Sequence, residues 1–417
     1  MNRRQASCRG RWGVSRSAGL LALLVGVMLW MDGGSPEADA GAPGTALAAE
    51  ESGSSAERRA AITFAVNVHD FVNLDESADT VLRLVDLFER WNVRGDFYLT
   101  APMVALYQEQ RPEVIERLKQ SAMTISYHVR PPHPLIAGFD APLRGLEGDA
   151  LVSALREYET HRLDLETGTL DITEPGGYTY VRDVFGRAPV VASVPSALYR
   201  SESLEVFAEL GARMTVIYHE TGTKIEQPFE YAGGLLIRPS DWSVTRWAAD
   251  GSTKEQFWWA MLDTPLATDY HPTRCLEERL RAWTADRAPI VTALIHDDNF
   301  YREAATPWAL IYYTDAQKET ARRPPFDLEA PDPSRPRSLE SQEAVWSAYE
   351  TLVAYAAANL DVVTSEDLVE RAAEALGAVS DLDMTEQIRQ LTPSAPLCDD
   401  VSLELPGWDE RGYGPRR

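Results

Sequence analysis

The chain has 417 residues, a hydrophobic fraction of 44% and a formal net charge of -24, from 40 Lys and Arg against 64 Asp and Glu. This hydrophobic fraction supplies a packed core and excludes a wholly disordered chain. The acidity argues against nucleic acid as a partner, because neutralising phosphates needs clustered Lys and Arg. An uncharged ligand suits such a chain better than a polyanion.

Residues 1–50 are predicted to be an export signal and a tether. Five basic residues precede an apolar run from Ala18 to Met31, and Ala46-Leu47-Ala48 is a small-x-small cleavage pattern. The run is short for a hydrocarbon core of ~30 Å, so we expect no transmembrane domain after signal removal. The expected location is periplasmic or extracellular; an uncleaved anchor is the alternative. Whether Cys275 and Cys398 pair stays open.

The rest of the chain alternates predicted strands and helices. Strands are predicted at Ala61 to Val68, Val93 to Thr100, Ala122 to Tyr127, Pro189 to Val194, Arg213 to Tyr218, Leu235 to Arg238, Pro289 to Ile295 and Asp361 to Thr364. Helices are predicted at Val81 to Phe88, Pro112 to Gln120, Asp149 to Arg162, Ser201 to Leu210, Arg274 to Trp283, Glu343 to Leu360 and Ser365 to about Ala378. This order predicts an α/β fold, with a parallel sheet and outer helices. We expect one barrel domain over 60–378, with a loop insertion at 299–340 and a tail at 379–417.

Histidines stand at the ends of three predicted strands. His69-Asp70 ends the first, His128 the third and His296 the one after Pro289, while His133 follows His128 in the next loop. Barrels of this kind carry their chemistry at the carboxyl ends of the strands. Asp70, His128 and His133 are therefore predicted to hold a divalent metal, which would activate a bound water. His296 is predicted to be the general acid.

The order of these residues resembles the polysaccharide deacetylases of carbohydrate esterase family four, which share the nodulation-protein-B homology domain. The family's first motif, Thr-Phe-Asp-Asp-Gly, matches the stretch from Thr63 to Asp70, with Asp70 as the metal-binding Asp and His69 in place of the base. A gapped strand would put Asn67 there instead. In the second motif the two histidines are five residues apart rather than four, with two prolines between them.

The later motifs are partly altered. Phe185-Gly-Arg-Ala-Pro189 is similar to the lead-in to the third motif, whose Arg is replaced in Ser193-Val-Pro195. Arg238-Pro-Ser-Asp241-Trp242 resembles Asp-x-x-Asp-Trp, and Leu294-Ile-His296 resembles the motif that carries the acid.

The resemblance implies a distorted, incomplete (β/α) barrel and a secreted hydrolase that removes acetyl groups from a polysaccharide or related glycan. The implied cofactor is a divalent metal, Zn foremost, and the implied partner is a carbohydrate polymer. The implied catalytic residues are His69, His296 and Asp241, and the candidate substrate-binding residues are Arg130, Arg238, Trp242 and Tyr301.

Exposed aromatics of the insertion, including Tyr301 and Trp308, would offer flat faces to sugar rings; their packing as core is the alternative. Two other functions stay open. One is a carbohydrate-binding relative without catalysis, and the other is a glycoside hydrolase that uses carboxylates such as Asp241 and Asp298.

Overall fold

A computed structural model describes residues 60–193, 201–218, 230–232, 235–240, 246–248, 254–256, 273, 276–277, 290–303, 307–316 and 318–376. The strands are β1 Ala61–Val68, β2 Asp96–Leu99, β3 Thr124–His128, β4 His161–Leu163, β5 Leu170–Pro175, β6 Val191–Ser193, β7 Met214–Tyr218, β8 Glu230–Ala232, β9 Leu235–Ser240, β10 Arg246–Ala248, β11 Lys254–Gln256, β12 Ile290–His296, β13 Arg302–Glu303, β14 Arg335–Pro336 and β15 Asp361–Val362. The helices are α1 Leu74–Arg90, α2 Ala101–Gln110, α3 Pro112–Gln120, α4 Gly148–Thr160, α5 Gly177–Phe185, α6 Ser201–Leu210, α7 Ala309–Tyr312, α8 Leu339–Asn359 and α9 Ser365–Leu376, with 3₁₀ turns at Ala141–Leu143 and Asp297–Phe300.

The main sheet runs in the order β12-β1-β2-β3-β6-β7-β9-β8, and β15 pairs with the first residues of β1. Neighbours along this order are parallel except β8 and β9. Among the described strands, no pairing joins β12 to β8, so the sheet stays open. The predicted fold class, a distorted and incomplete (β/α) barrel, is confirmed.

The two faces of β1 show how the barrel is filled. All eight residues of β1 are buried, as expected for a parallel strand covered on both sides. Ile62, Phe64 and Val66 pack in the larger core beneath the helices, while Ala61 and Ala65 belong to a separate cluster inside the barrel. Because side chains alternate along a strand, Asn67 lies on the interior face with the alanines.

The same alternation brings polar side chains of other strands into the interior. Asn67 pairs in register with His296 on β12. On β3, Tyr127 packs in the outer core, so the next residue, His128, lies on the interior face. The carboxyl ends of these parallel strands meet at one edge of the sheet, and the histidines therefore come together there.

The first helix carries the apolar face that its spacing predicts. Val81, Leu84, Val85 and Phe88 are fully buried in the larger core. Phe88 also explains why the residue at position 95, before β2, is a glycine: a Cβ at Gly95 would lie 2.5 Å from Cε2 of Phe88. Fully burying an apolar side chain of this size contributes about 1.5–3 kcal/mol.

Some elements differ from the prediction. Helix α2 was not expected, because Ala101, Pro102, Met103 and Val104 are apolar without a single face; Thr100 caps it by accepting from the amide of Met103. Helix α4 ends at Thr160, two residues earlier than predicted, and a β4–β5 hairpin follows.

Residues 1–50 and 379–417 lie outside the described residues, as does most of the predicted helix from Arg274 to Trp283. The domain boundaries therefore stay predictions. Within the described residues, no helix is both long and apolar enough to cross a membrane.

Candidate active site

A cleft of about 640 Å³ opens at the carboxyl ends of β1, β2 and β3. Its polar lining residues from the sheet and its loops are His69, Tyr127, His128, Arg130 and His133, and Trp308 of the insertion joins them. The start of α2 and residues 162–166 and 174–177 of the hairpin region line other parts, together with the half-exposed Leu328. Four of the predicted site residues, His69, His128, Arg130 and His133, line this cleft.

Three imidazoles form a buried group beside this cleft: His69, His128 and His296, called the imidazole group below. The ring centroid of His69 lies 4.9 Å from that of His296 and 5.9 Å from that of His128. Burial, and next the charge of Arg130, lower the pKa of each imidazole well below 6.5. The group is therefore neutral at pH 7.

His128 is held in the form of a base. Its Nδ1 lies 3.4 Å from the carbonyl oxygen of Ser193, which can only accept, so Nδ1 carries the proton. Its Nε2 carries the lone pair, is buried and has no hydrogen-bond partner among the residues that the structure describes. A buried polar atom without a partner needs an explanation, and a substrate or water proton in the cleft supplies one.

His296 sits deeper than its predicted role requires. It is not among the residues that line the cleft. Its Nε2 lies 3.2 Å from Nδ2 of Asn67 and 3.5 Å from Nη2 of Arg130. This placement differs from that of a general acid facing a substrate.

Three buried carboxylates form a second group next to the imidazoles: Asp70, Asp297 and Asp298, called the carboxylate group below. The backbone amide of Asp70 donates to Oδ2 of Asp297 over 3.3 Å, and Tyr301 donates its hydroxyl to Oδ2 of Asp70 over 2.8 Å. Oδ1 of Asp298 is buried, and no described residue forms a hydrogen bond with it. This group ties the loop after β1 to the loop after β12.

The carboxylate group holds protons more tightly than exposed carboxylates. Burial and the neighbouring Asp297 raise the pKa of Asp70 to about 7, and burial raises the pKa of Asp297 to about 6. Burial and then the charges of Asp297 and Asp70 raise the pKa of Asp298, against the opposing charges of Lys318 and Arg130. A raised folded-state pKa means that stability from these groups is complete below pH ~4 and is lost as the pH rises through 6 to 7.

We expect Asp298→Asn to raise the melting temperature at pH 8 and to change it little at pH 5. Asparagine keeps the shape but removes a buried charge that repels Asp70 and Asp297 at high pH. The measurement is the difference in melting temperature between the variant and wild type at each pH. The buried imidazoles lose stability below pH ~6.5 in both proteins, so their contribution cancels in this difference.

The matched control is Asp86→Asn, whose side chain is 66% exposed in wild type. It should show no comparable dependence on pH. If Asp298→Asn changes the melting temperature by the same amount at pH 5 and pH 8, the repulsion between Asp298 and the other two carboxylates is contradicted.

His133 belongs to a separate buried network. Its Nδ1 accepts from the amide of Leu135 over 3.1 Å, and its Nε2 lies 2.9 Å from Oε1 of Glu159 on α4. The other oxygen of Glu159 accepts from the amide of Tyr178, and the hydroxyl of Tyr127 also bonds to this carboxylate. His133 is thus committed to holding its loop against α4.

The three predicted metal ligands do not form one site. Asp70 already accepts from the amides of Val72 and Asn73, from Nδ2 of Asn73 and from Tyr301. His133 faces Glu159, as described above. Over the part of the chain that the structure describes, no group of three His, Cys, Asp or Glu side chains could hold a metal ion. The residues present do not fit the implied zinc, which departs from the sequence prediction.

The other predicted substrate contacts lie in different places. Arg130 lines the cleft, and its contact with substrate stays a prediction. Tyr301 is buried at 4% exposure against Asp70 and does not line the cleft, so it offers no face to a sugar. Asp241 and Trp242 lie outside the described residues. Arg238 lies on β9 in register with Val216.

The aromatics of the insertion pack as core. Trp308, Tyr312, Tyr313 and Phe326 are buried and belong to the larger core, with the rings of Tyr312 and Phe326 5.1 Å apart. This is the alternative that the sequence left open, because a loop this long must bury its own apolar side chains. Only Trp308 among these four also lines the cleft.

Sequence reasoning missed Glu159 and the part that Trp308 plays. Glu159 has a detectable signal, since it continues the buried face of Leu151 and Leu155 at a spacing of four residues. A carboxylate on such a face needs a buried partner. Trp308 has no comparable signal, because its contact with His69 crosses 239 positions of the chain.

No family model matches the sequence, and no curated protein matches it. Among solved structures, the fold is similar to a protein described as a polysaccharide deacetylase from Mycobacterium smegmatis, at 15% identity and a TM-score of 0.43, covering 78% of this chain and 94% of the other. A 4-alpha-glucanotransferase from Thermococcus litoralis matches at 11% identity and a TM-score of 0.42, covering 75% of this chain and 40% of the other. A pseudoenzyme of carbohydrate esterase family four from Bacillus anthracis matches at 11% identity and a TM-score of 0.35, covering 75% of this chain and 66% of the other. Likenesses this distant transfer no substrate and no residue role.

Proposed function

We propose that the chain is a hydrolase that removes an acyl group, the acetyl group of a glycan, in the cleft beside the imidazole group. The observation that carries the proposal is His128, a neutral imidazole whose buried Nε2 has no partner in the described part of the chain, at a cleft that also holds a guanidinium. A base and a nearby cation are the groups that hydrolysis of an ester or amide needs. The glycan and the acetyl group rest on the motif order described above.

In this reaction Nε2 of His128 takes a proton from the water that attacks the acyl carbon. The positive charge of Arg130 stabilises the negative charge that develops on the carbonyl oxygen in the transition state. The bond from the acyl carbon to nitrogen or oxygen then breaks, and His128 returns the proton to the leaving amine or alcohol. The products are acetate and the deacetylated sugar.

The test is acetate release from acetylated glycans by the purified full chain. We expect release from an acetylated xylan or chitin oligosaccharide, followed by an enzymatic acetate assay and by the mass of the remaining oligosaccharide. Loss of acetyl mass without cleavage of the sugar chain supports deacetylation, whereas shorter oligosaccharides would indicate a glycoside hydrolase. No acetate from any acetylated glycan would contradict the proposal.

A binding protein without catalysis is the second candidate. Asp70 accepts from Tyr301, and His133 lies against Glu159. These contacts favour a binding protein, because both side chains would otherwise be ligands of the metal that the resemblance implies. Affinity for glycans in calorimetry without acetate release would support it.

We also propose that the mature chain is exported. The proposal rests on the basic, apolar and Ala-x-Ala order of residues 1–50. Amino-terminal sequencing of the native protein tests it, and an intact Met1 in a cytoplasmic fraction would overturn it.

A further inference from the structure

Helix α2 presents two apolar faces rather than one. Its buried residues, Met103, Val104 and Tyr107, pack in the larger core. At about 3.6 residues per turn, the opposite side of the helix carries four apolar residues that are only partly buried. All four line the cleft and are called the cleft face below: Ala101, Pro102, Ala105 and Leu106.

The packing of the fold does not account for the cleft face. A helix at the surface of a globular protein buries one apolar stripe and turns polar residues away from the core. Helix α2 has exposed polar residues only in its last turn, from Gln108 to Gln110. Apolar side chains that line a cleft beside a few polar groups are typical of a ligand site.

Two exposed apolar side chains extend this surface at the edge of the cleft. Val72, after β1, is 36% exposed, Leu328 of the insertion is 44% exposed, and both line the cleft. Exposed apolar residues that share one cavity indicate a binding site, whereas single scattered ones need no explanation. The cleft volume of about 640 Å³ is far more than an acetyl group fills.

The cleft face lies beside the groups proposed to act on the acyl carbon. Helix α2 follows β2, and β2 pairs with β3, which ends at His128. The ring centroid of Tyr98 on β2 lies 6.4 Å from that of His128, and α2 begins three residues after Tyr98. A chain attached to an acyl carbon at His128 therefore reaches the cleft face.

The charges on the other side of the cleft favour a neutral chain over a free fatty acid. Asp164, Glu166 and Glu174 line the cleft from the hairpin region. Arg162 also lines it, but its guanidinium is paired with Asp171 over 2.8 Å. The chain is therefore expected to enter as part of an ester or amide and to leave as a carboxylate that these three residues repel.

We propose that the cleft face binds the hydrocarbon chain of the substrate's acyl group, so that the site accepts acyl groups longer than acetyl. Hydrolysis of these groups rests on the proposed function, whereas binding of the chain does not. The bonds are those of acetyl removal: water gives its hydroxyl to the acyl carbon, and the leaving oxygen or nitrogen takes the proton. The products are a longer carboxylic acid and an alcohol or amine.

The first experiment is calorimetric titration of the full chain with acetone, methyl propyl ketone and methyl pentyl ketone. These ketones keep the carbonyl and the chain, but they have no bond that the site can hydrolyse. We expect the affinity to rise by up to about fourfold for each added methylene that is buried. Equal affinity for acetone and methyl pentyl ketone would overturn the chain site.

The second experiment compares two isomeric esters, ethyl hexanoate and hexyl acetate. They contain the same atoms, but the long chain lies on the acyl side in the first and on the leaving side in the second. We expect kcat/KM for ethyl hexanoate to be roughly 10- to 100-fold higher, followed as acid release at constant pH. Equal values, or faster hydrolysis of hexyl acetate, would overturn the placement of the acyl chain.

Ala105→Phe fills the cleft face and should lower the ratio of the two kcat/KM values by roughly tenfold or more. Gln110→Phe is the matched control, because it adds the same ring to the exposed end of the same helix, outside the cleft. Its ratio should equal that of wild type. An unchanged ratio in a folded Ala105→Phe would contradict the proposal.

Leu328→Gln tests the same surface without adding bulk to α2. It should weaken the binding of methyl pentyl ketone severalfold, because a polar amide replaces an apolar contact. Leu339→Gln makes the same change at a leucine that is 80% exposed and does not line the cleft. Equal affinities in these two variants would overturn the role of the apolar edge.

These results separate from those of the proposed function. Binding of methyl pentyl ketone without hydrolysis of any ester or acetylated glycan removes the hydrolase and leaves the chain site. Acetate release together with equal affinity for the three ketones removes the chain site and leaves the hydrolase.

Discussion

We expect His128→Gln to lower the turnover of acetate release by roughly 100- to 10,000-fold, the usual contribution of a positioned general base. Glutamine can still donate to the carbonyl of Ser193, so the loop is held, but it has no basic nitrogen to take a proton. The measurement is kcat for acetate release, with the melting temperature as a check of folding.

The pH profile of the wild-type enzyme gives a second readout of the same residue. Burial and then Arg130 hold the pKa of His128 well below 6.5, so its lone pair is available at and below that pH. Activity should therefore persist as the pH falls through 6.5, where an exposed histidine would become protonated. An acid limb centred at 6.5 would contradict the assignment of the base to His128.

His161→Gln is the matched control for this variant. His161 begins β4 and bonds through Nδ1 to Thr160 and to the carbonyl of Glu157, outside the cleft. Its turnover should equal that of wild type. If His128→Gln keeps more than a tenth of wild-type turnover, another group takes the proton.

We expect Glu159→Ala to lower the free energy of unfolding by about 3–5 kcal/mol, as removal of one partner of a buried pair does. The change leaves the amide of Tyr178 and the hydroxyl of Tyr127 without their acceptor in the interior, and it removes the carboxylate that lies 2.9 Å from Nε2 of His133. Urea denaturation measures the loss.

Two further variants show whether the acceptor is what matters. Glu159→Gln keeps one amide oxygen and should lose only about 1–3 kcal/mol. Glu157→Ala changes an exposed glutamate on the same helix and should stay within about 0.5 kcal/mol of wild type. Equal losses for Glu159→Ala and Glu157→Ala would show that the buried network adds no stability.

Glu159→Ala should also lower the turnover of acetate release. The amide of His133 donates to the carbonyl of Arg130 over 3.0 Å, so the loop that Glu159 holds also carries the guanidinium. The measurement is kcat for acetate release by the folded variant. Undiminished turnover would show that Arg130 is placed independently of His133.

The sequence by itself determined the alternation of elements and the edge at which the histidines meet. The β-branched run of β1 and the spacing of Val81, Leu84 and Phe88 are local patterns, and each predicts burial on a known face. Once the strands are parallel, their carboxyl ends lie together. The positions of His69, His128 and His296 at one end of the barrel follow from that alone.

Only the tertiary structure decided which partner each of these side chains meets. Asp70 accepts a hydrogen bond from Tyr301, 231 positions away, and His69 accepts one from Trp308, 239 positions away. Both partners come from the insertion after β12, whose path no local spacing describes. His133 lies beside Glu159 on α4 rather than beside the other predicted metal ligands. Backbone pattern depends on neighbours in the chain, whereas the pairing of buried polar groups depends on where distant segments place a donor against an acceptor.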